Sequence, residues 1–301
     1  MAYLRDLRAD AAYDHPFWIL LAHPFTRLPI GDVAFRATLW TSLWAAVAVA
    51  LVYAVLRRLT SSGWAAAVGA ATLMVSHTFW THAVRAEVYS LSMALLAGSM
   101  VCLLLPWRSV ALLLLGGCSP AWVGAVTVWR TRPVGLALLL IVGANVASTL
   151  NHDVADKFVF YLPTFLVMAL WAGLGVERAL GWVAERRGAP RRLLLPGLLV
   201  ALLALPIAAY AAAPHVLPAL GVTSDALSIR EIPGRPALRF FLNPNRRGYT
   251  GAREVCEAAL ADLAPGAVLI ADYTVWEPLL YLQRVEGLRR DVQVALVAPG
   301  R

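Results

Sequence analysis

What this sequence has least of is charge. Only 15% of its 301 residues are Asp, Glu, Lys or Arg, and 60% are hydrophobic, for a mean hydropathy of +0.67. Soluble domains carry about a quarter charged residues, so the deficit excludes an ordinary water-soluble globule and points to lipid as the solvent for much of the chain. Cysteine is nearly absent too. Cys102, Cys118 and Cys256 have neither metal-ligand spacing nor a disulfide framework, and they read as small core hydrophobes. No cleavable signal peptide opens the chain, because Met1 is followed by a polar, charged stretch. Nor is there a basic stripe with interleaved aromatics. The net charge of +8 and the isoelectric point near 9.9 therefore do not imply nucleic acid as a partner.

What is present is a series of apolar runs of membrane-spanning length, about 20 residues each. Ala37–Leu56, Gly63–Ala83, Phe158–Val176 and Leu193–Ala213 qualify, with the shorter Val88–Leu105 and Val134–Leu150 beside them. Val110–Trp129 is broken by Gly116, Gly117, Ser119 and Pro120 and reads as re-entrant or interfacial. Charge placement supports leaving it out of the count. With six spans, Arg57, Arg58, Arg108, Arg130, Arg132, Arg178, Arg186, Arg187, Arg191 and Arg192 share one side, and only Arg85 and Lys157 occupy short loops on the other. Arginine-rich loops stay cytoplasmic. The N-terminal segment, the Arg85–Glu87 loop, the His152–Lys157 loop and the C-terminal tail are then extracytoplasmic. Phe17–Ile30, apolar but interrupted by His23, Pro24, Arg27 and Pro29, reads as a helix lying in the interface.

The composition divides the chain into a membrane domain, 1–213, whose first 33 residues form an external loop with that interfacial helix, and a water-exposed segment, 214–301. In the tail, Ala252–Leu263 has helical periodicity, Ala267–Ala271 reads as a strand ending at Asp272, Val275–Leu282 is helical, and Asp291–Val297 alternates as a second strand. Strand, crossover helix and strand make a parallel βαβ unit, and two strands alone read as an incomplete sheet. Asp272 sits where an open α/β sheet binds ligands, although a turn or cap role is the simpler reading. The expected fold is thus a polytopic α-helical membrane protein of about six spans with a small extracytoplasmic βαβ segment.

Three polar clusters fall on the same expected side: Asp10, Asp14 and His15; then His77, Trp80, His82, Arg85, Glu87 and Tyr89; then His152, Asp153, Asp156 and Lys157. Ionisable groups near membrane depth are costly and tend to mark a site. Carboxylates and histidines can serve a hydroxyl as base, and Arg or Lys can hold a phosphate. The plainer alternative is that short interhelical loops need polar residues anyway, that Arg85 pairs with Glu87, and that His77 is a satisfied core histidine.

Several strings carry a resemblance. They are Asp14-His15-Pro16-Phe17-Trp18, Leu28-Pro29-Ile30-Gly31-Asp32 and Phe35-Arg36-Ala37-Thr38-Leu39, then Ser76-His77-Thr78-Phe79-Trp80 with Ala86-Glu87-Val88-Tyr89-Ser90-Leu91. Later come Asp156-Lys157-Phe158 with Leu162-Pro163, and Tyr281–Val292. In patches over most of the chain this resembles the bacterial domain-of-unknown-function family 2723, relatives of a eukaryotic transmembrane protein O-mannosyltransferase. The resemblance implies a GT-C-type membrane glycosyltransferase in a bacterial inner membrane. Such an enzyme moves a sugar from a polyprenyl-phosphate carrier to a protein or glycan acceptor, with no cofactor beyond the lipid-linked donor. It implies Asp14 or Asp10 as the acceptor-side carboxylate with Glu87 as a further catalytic acid. His15, Trp80, His82, Arg85, Tyr89, His152, Asp153, Asp156 and Lys157 would bind substrate. Such proteins open with a membrane helix and an acidic motif ahead of the His-Pro stretch, so the resemblance also implies an N-terminally shortened member. The alternatives are a non-catalytic membrane scaffold and, third, a transporter, which would want mid-bilayer polar groups and internal repeats.

Overall fold

The computed structural model describes residues 15–104, 134–151, 157–187, 191–227, 229 and 236–297. Asp10, Asp14, His152, Asp153, Asp156, Cys118 and the Val110–Trp129 segment lie outside the described residues. The described chain is mostly helical, with one small sheet. Its elements are α1 (Pro16–Ala22), a 3-10 turn (His23–Arg27), α2 (Val33–Leu59), α3 (Gly63–Met74), α4 (His77–Ala83), α5 (Tyr89–Leu103) and α6 (Val134–Leu150). A second 3-10 turn (Lys157–Tyr161) leads into α7 (Leu162–Arg187), followed by α8 (Arg191–Ala219) and, after a short 3-10 turn (Asp225–Leu227), α9 (Ala237–Leu242), α10 (Gly251–Ala261), β1 (Val268–Ala271), α11 (Tyr273–Arg284) and β2 (Gln293–Leu296). Contacts divide the chain into two compact units: residues 41–209, and residues 1–40 with 210–301.

Three helices are long and apolar enough to cross a membrane: Val33–Leu59, Phe158–Gly181 and Pro196–Ala219. At 1.5 Å per residue each exceeds the roughly 30 Å hydrocarbon core. None of the apolar window of α8 is buried in the protein, as suits a helix whose surroundings are lipid. The other three expected spans form shorter apolar helices, Gly63–Met74, Tyr89–Cys102 and Leu138–Leu150.

Gly63–Ala83 is not the continuous helix its hydropathy suggests. The alanine-rich α3 ends at Met74, Ser76 turns to an extended conformation (φ −64°, ψ 133°), and α4 restarts at His77. After Met74 the strong helix formers give way to Val75, Ser76, His77 and Thr78, all of weaker propensity. Hydropathy averaged over the window hides that change.

In the 41–209 unit the core is small-sided. Ala45, Ala48, Val52, Val55 and Leu56 of α2 pack with Ala66, Ala70 and Leu73 of α3 and Leu166, Ala169 and Leu170 of α7. The α3 and α7 backbones approach each other closely. A Cβ on Gly69 would meet the Ala169 carbonyl oxygen at 2.8 Å, and one on Gly173 would meet the Ala65 carbonyl oxygen at 3.1 Å. Glycines at this crossing let the backbones touch, the usual device where lipid gives helices no hydrophobic reason to associate.

In the tail, β1 and β2 pair in parallel, Val268 opposite Gln293 through Ala271 opposite Leu296, around the crossover helix α11. Cys256, Leu260, Ala271, Leu279, Leu282 and Val292 form its core. Asp272 is the N-cap of α11, its Oδ1 accepting the Thr274 and Val275 amides at 2.9 and 3.4 Å. Arg289 ties the unit together by donating to the carbonyls of Leu260 (2.7 Å), Leu263 (2.9 Å) and Ala264 (3.2 Å) and pairing with Asp291 at 3.0 Å.

Candidate functional site

The second polar cluster becomes a compact site where α4 ends and α5 begins. The Ser42 hydroxyl of α2 donates to the Ala83 carbonyl at 2.8 Å, satisfying one of the acceptors a helix C-terminus leaves open. The chain then turns tightly. The Glu87 amide bonds the Arg85 carbonyl at 2.9 Å, which sends the Glu87 side chain back over the last turn of α4. There its Oε2 lies 2.8 Å from Nδ1 of His82. His82 is 3% exposed and Glu87 36%. Glu87 Oε1 stands 4.0 Å from the Arg85 guanidinium. The His82 ring meets Tyr89 edge-on (5.0 Å, 74°) and Phe158 at 6.0 Å.

The electrostatics of Glu87 are a contest. Burial pushes its carboxyl up, but the His82 hydrogen bond and the nearby His82 and Arg85 charges outweigh it and hold the group below the usual carboxylate range. Glu87 is therefore an ionised acceptor at neutral pH. With a carboxylate on Nδ1, that ring nitrogen is the one that carries the proton of the hydrogen bond. The buried Nε2 has no hydrogen-bond partner among the described residues.

Phe158 was not anticipated as part of this site. It arrives on the 3-10 turn that Lys157 opens, and Asn145 of α6 fixes that turn. Asn145 Nδ2 donates to the Phe160 carbonyl at 3.0 Å, and Thr164 Oγ1 donates to Asn145 Oδ1 at 2.7 Å. A lone Asn inside the apolar Val134–Leu150 run was the available signal, since a polar side chain at that depth needs a partner.

An apolar cavity of about 760 Å³ runs along α2, α3 and α4, with Leu199, Leu203 and Ile207 of α8 on its far wall. Alanines make up much of its lining, and Ser42, Ala83 and Val84 line it as well. Trp80 also lines the groove. His15 is exposed beside α1, in the other unit. Within that unit Asp32 caps α2, Oδ1 to the Phe35 amide at 2.6 Å, and Arg36 holds the Thr26 and Gly31 carbonyls. No three His, Cys, Asp or Glu side chains gather as metal ligands among the described residues.

The clasped carboxylate and the α2, α3 and α4 side of the groove lie within a stretch similar to a known family. Residues 14–113 match the family model for the protein O-mannosyl-transferase TMEM260 N-terminal domain. The match covers α1 through α5 and so includes His15, Trp80, His82, Arg85, Glu87 and Tyr89. No curated protein and no solved structure matches the chain. Residues 14–113 are thus similar to the N-terminal domain of a protein O-mannosyl-transferase, in a chain with three helices long and apolar enough to cross a membrane.

Proposed function

We propose that this chain is a GT-C-type membrane glycosyltransferase, akin to the bacterial family 2723. It would take a sugar, mannose by family resemblance, from a polyprenyl-phosphate carrier and pass it to a hydroxyl of a protein or glycan. The observation that carries the reading is the ionised Glu87, clasped by a buried His82 and flanked by Arg85 inside the family-matched region, with their chain neighbours Trp80, Ala83 and Val84 lining an apolar groove. The groove suits the prenyl chain and Arg85 the phosphate. Glu87 accepts the hydrogen bond of the acceptor hydroxyl. The acceptor oxygen forms its bond to the anomeric carbon as that carbon's bond to the phosphate oxygen breaks. Polyprenyl phosphate leaves with the electron pair, and the hydroxyl proton passes to the carboxylate. Asp14, Asp10, His15, Tyr89, His152, Asp153, Asp156 and Lys157 remain candidates for the rest of the acceptor and donor contacts.

The accompanying topology has six spans in a bacterial inner membrane, a membrane domain over 1–213 and an extracytoplasmic segment over 214–301. Its sidedness rests on the arginine-rich loops placed along the sequence.

The test is transfer of radiolabelled mannose from polyprenyl-phosphate mannose by the purified chain in proteoliposomes. Glu87→Ala and Arg85→Ala should abolish or sharply reduce it. One observation favours a second reading, a non-catalytic scaffold: His82 already occupies one Glu87 oxygen, as a mere loop clasp would require. Transfer that is absent, or indifferent to both substitutions, would establish that reading in place of the first.

A further inference from the structure

The water-exposed tail holds a cavity that the glycosyl-transfer reading does not use. About 180 Å³ in volume, it is bounded by α9, the 243–250 loop and the start of α10, and Arg239, Arg246 and Arg247 line it with Glu254 as the one acid among the described residues. The three cations are not equivalent. Arg246 is engaged, with its guanidinium 4.0 Å over the Phe240 ring and bonded to the Asn243 carbonyl. Arg239 and Arg247 are exposed and have no carboxylate partner among the described residues. By contrast, Arg253 and Arg289 of the same tail are both paired with carboxylates. The loop that carries the free pair is internally braced. Asn243 Oδ1 accepts the Asn245 amide at 2.9 Å, Asn245 Oδ1 accepts the Arg247 amide at 3.0 Å, and Gly248 turns at φ +68°. Phe240 and Tyr249, 5.2 Å apart, give the cavity an aromatic wall. Glu254 is itself taken up by the Thr250 hydroxyl at 2.5 Å.

We infer that this cavity binds a phosphate group. Two unpaired guanidiniums converging on one small space are suited to the several oxygens of a phosphate, which planar donor forks match in pairs. The aromatic wall suits the organic part of an ester. The phosphate could arrive on a lipid headgroup or on a soluble molecule, and experiment separates the two. The full chain in neutral detergent micelles is titrated at low ionic strength with inorganic phosphate and, separately, with dioctanoyl phosphatidic acid. Saturable binding is expected, weakened at least about tenfold by the double variant Arg239→Gln/Arg247→Gln, as loss of charge-assisted bonds requires. Arg253→Gln, at a paired arginine outside the cavity, should bind as wild type does. Glu254→Gln should bind more tightly, because it removes the opposing charge. Tighter binding of phosphatidic acid than of phosphate assigns the site to a membrane headgroup, and equal affinity assigns it to a soluble phosphate. No saturable binding of either probe, or binding indifferent to the double substitution, overturns the inference. Neither result touches the His82–Glu87 site, whose own assay is mannosyl transfer.

Discussion

Two glutamates of the helical unit make an instructive pair. Glu177 of α7 is spent on backbone. Its Oε1 accepts the Ser61 amide at 3.0 Å and the Ser61 hydroxyl at 2.5 Å, and its Oε2 accepts the Ser62 amide at 3.1 Å. Those are donors that the start of α3 would otherwise leave open, so Glu177 fastens the α2–α3 turn to α7. Glu87 is held differently. One oxygen takes a side-chain imidazole, and the other faces Arg85 at a distance too long for a tight bond. A carboxylate saturated by main-chain amides is part of the frame. One oriented by a buried side chain, with an oxygen left toward an arginine, is placed to meet something else.

Removing the two acids should therefore have different consequences. Glu87→Ala should lower mannosyl transfer by about a hundredfold to ten-thousandfold, the range for loss of a general base. The melting temperature in detergent should fall modestly, because the buried His82 loses its partner. A normal rate in a folded Glu87→Ala protein would erase the contrast. Between these two glutamates lies the α3–α7 crossing, and Gly69→Leu attacks it directly. The new side chain would run into a backbone carbonyl that cannot move aside, so overpacking should cost about 2–3 kcal/mol and be read as a lowered melting temperature. Glu177→Ala should come next, at about 1 kcal/mol, the net worth of hydrogen bonds at a site open to solvent. Transfer per folded molecule should stay normal. If Glu177→Ala instead abolished transfer without lowering the melting temperature, the assignment of the two acids would have to be exchanged.

These differences show what the amino-acid string reveals. Val134–Leu150 is the helix its hydropathy outlines, and the tail forms the parallel strand–helix–strand unit its alternation suggests, with Asp272 as a cap. Period and length are local properties, so they can be read locally. The break at Ser76 was missed because hydropathy does not register backbone preference. Within the candidate site, His82, Arg85, Glu87 and Tyr89 stood out because they are charged or polar and adjacent in sequence. Phe158 and Asn145 did not, because their roles exist only once α6 and the 157–161 turn are folded beside α4 and α5. Glu177 pairs across more than a hundred residues, and its sequence neighbours give no sign of that.

The finest test of the Glu87 environment is its response to acid. Asp291, at the surface, is drawn down to about 2, chiefly by its hydrogen bond to Arg289 and against a smaller upward push from desolvation. Glu87 is drawn down against a substantial push from burial. In both cases the folded carboxyl lies below its free value. The stability each contributes is thus complete above the ordinary carboxylate range and disappears as pH falls through the folded value. For transfer, the same ionisation should place the acid limb of the rate profile below that range. His82→Phe keeps a ring in the space but removes both the hydrogen bond and the imidazole charge. Burial, the largest single influence, then faces Arg85 alone, and the acid limb should move to higher pH. Glu87 should also begin to lose its charge, and its contribution to stability, nearer neutrality. A rate–pH profile of His82→Phe superimposable on wild type would mean that His82 does not govern Glu87 at all, and that the two touch only as neighbours in a turn.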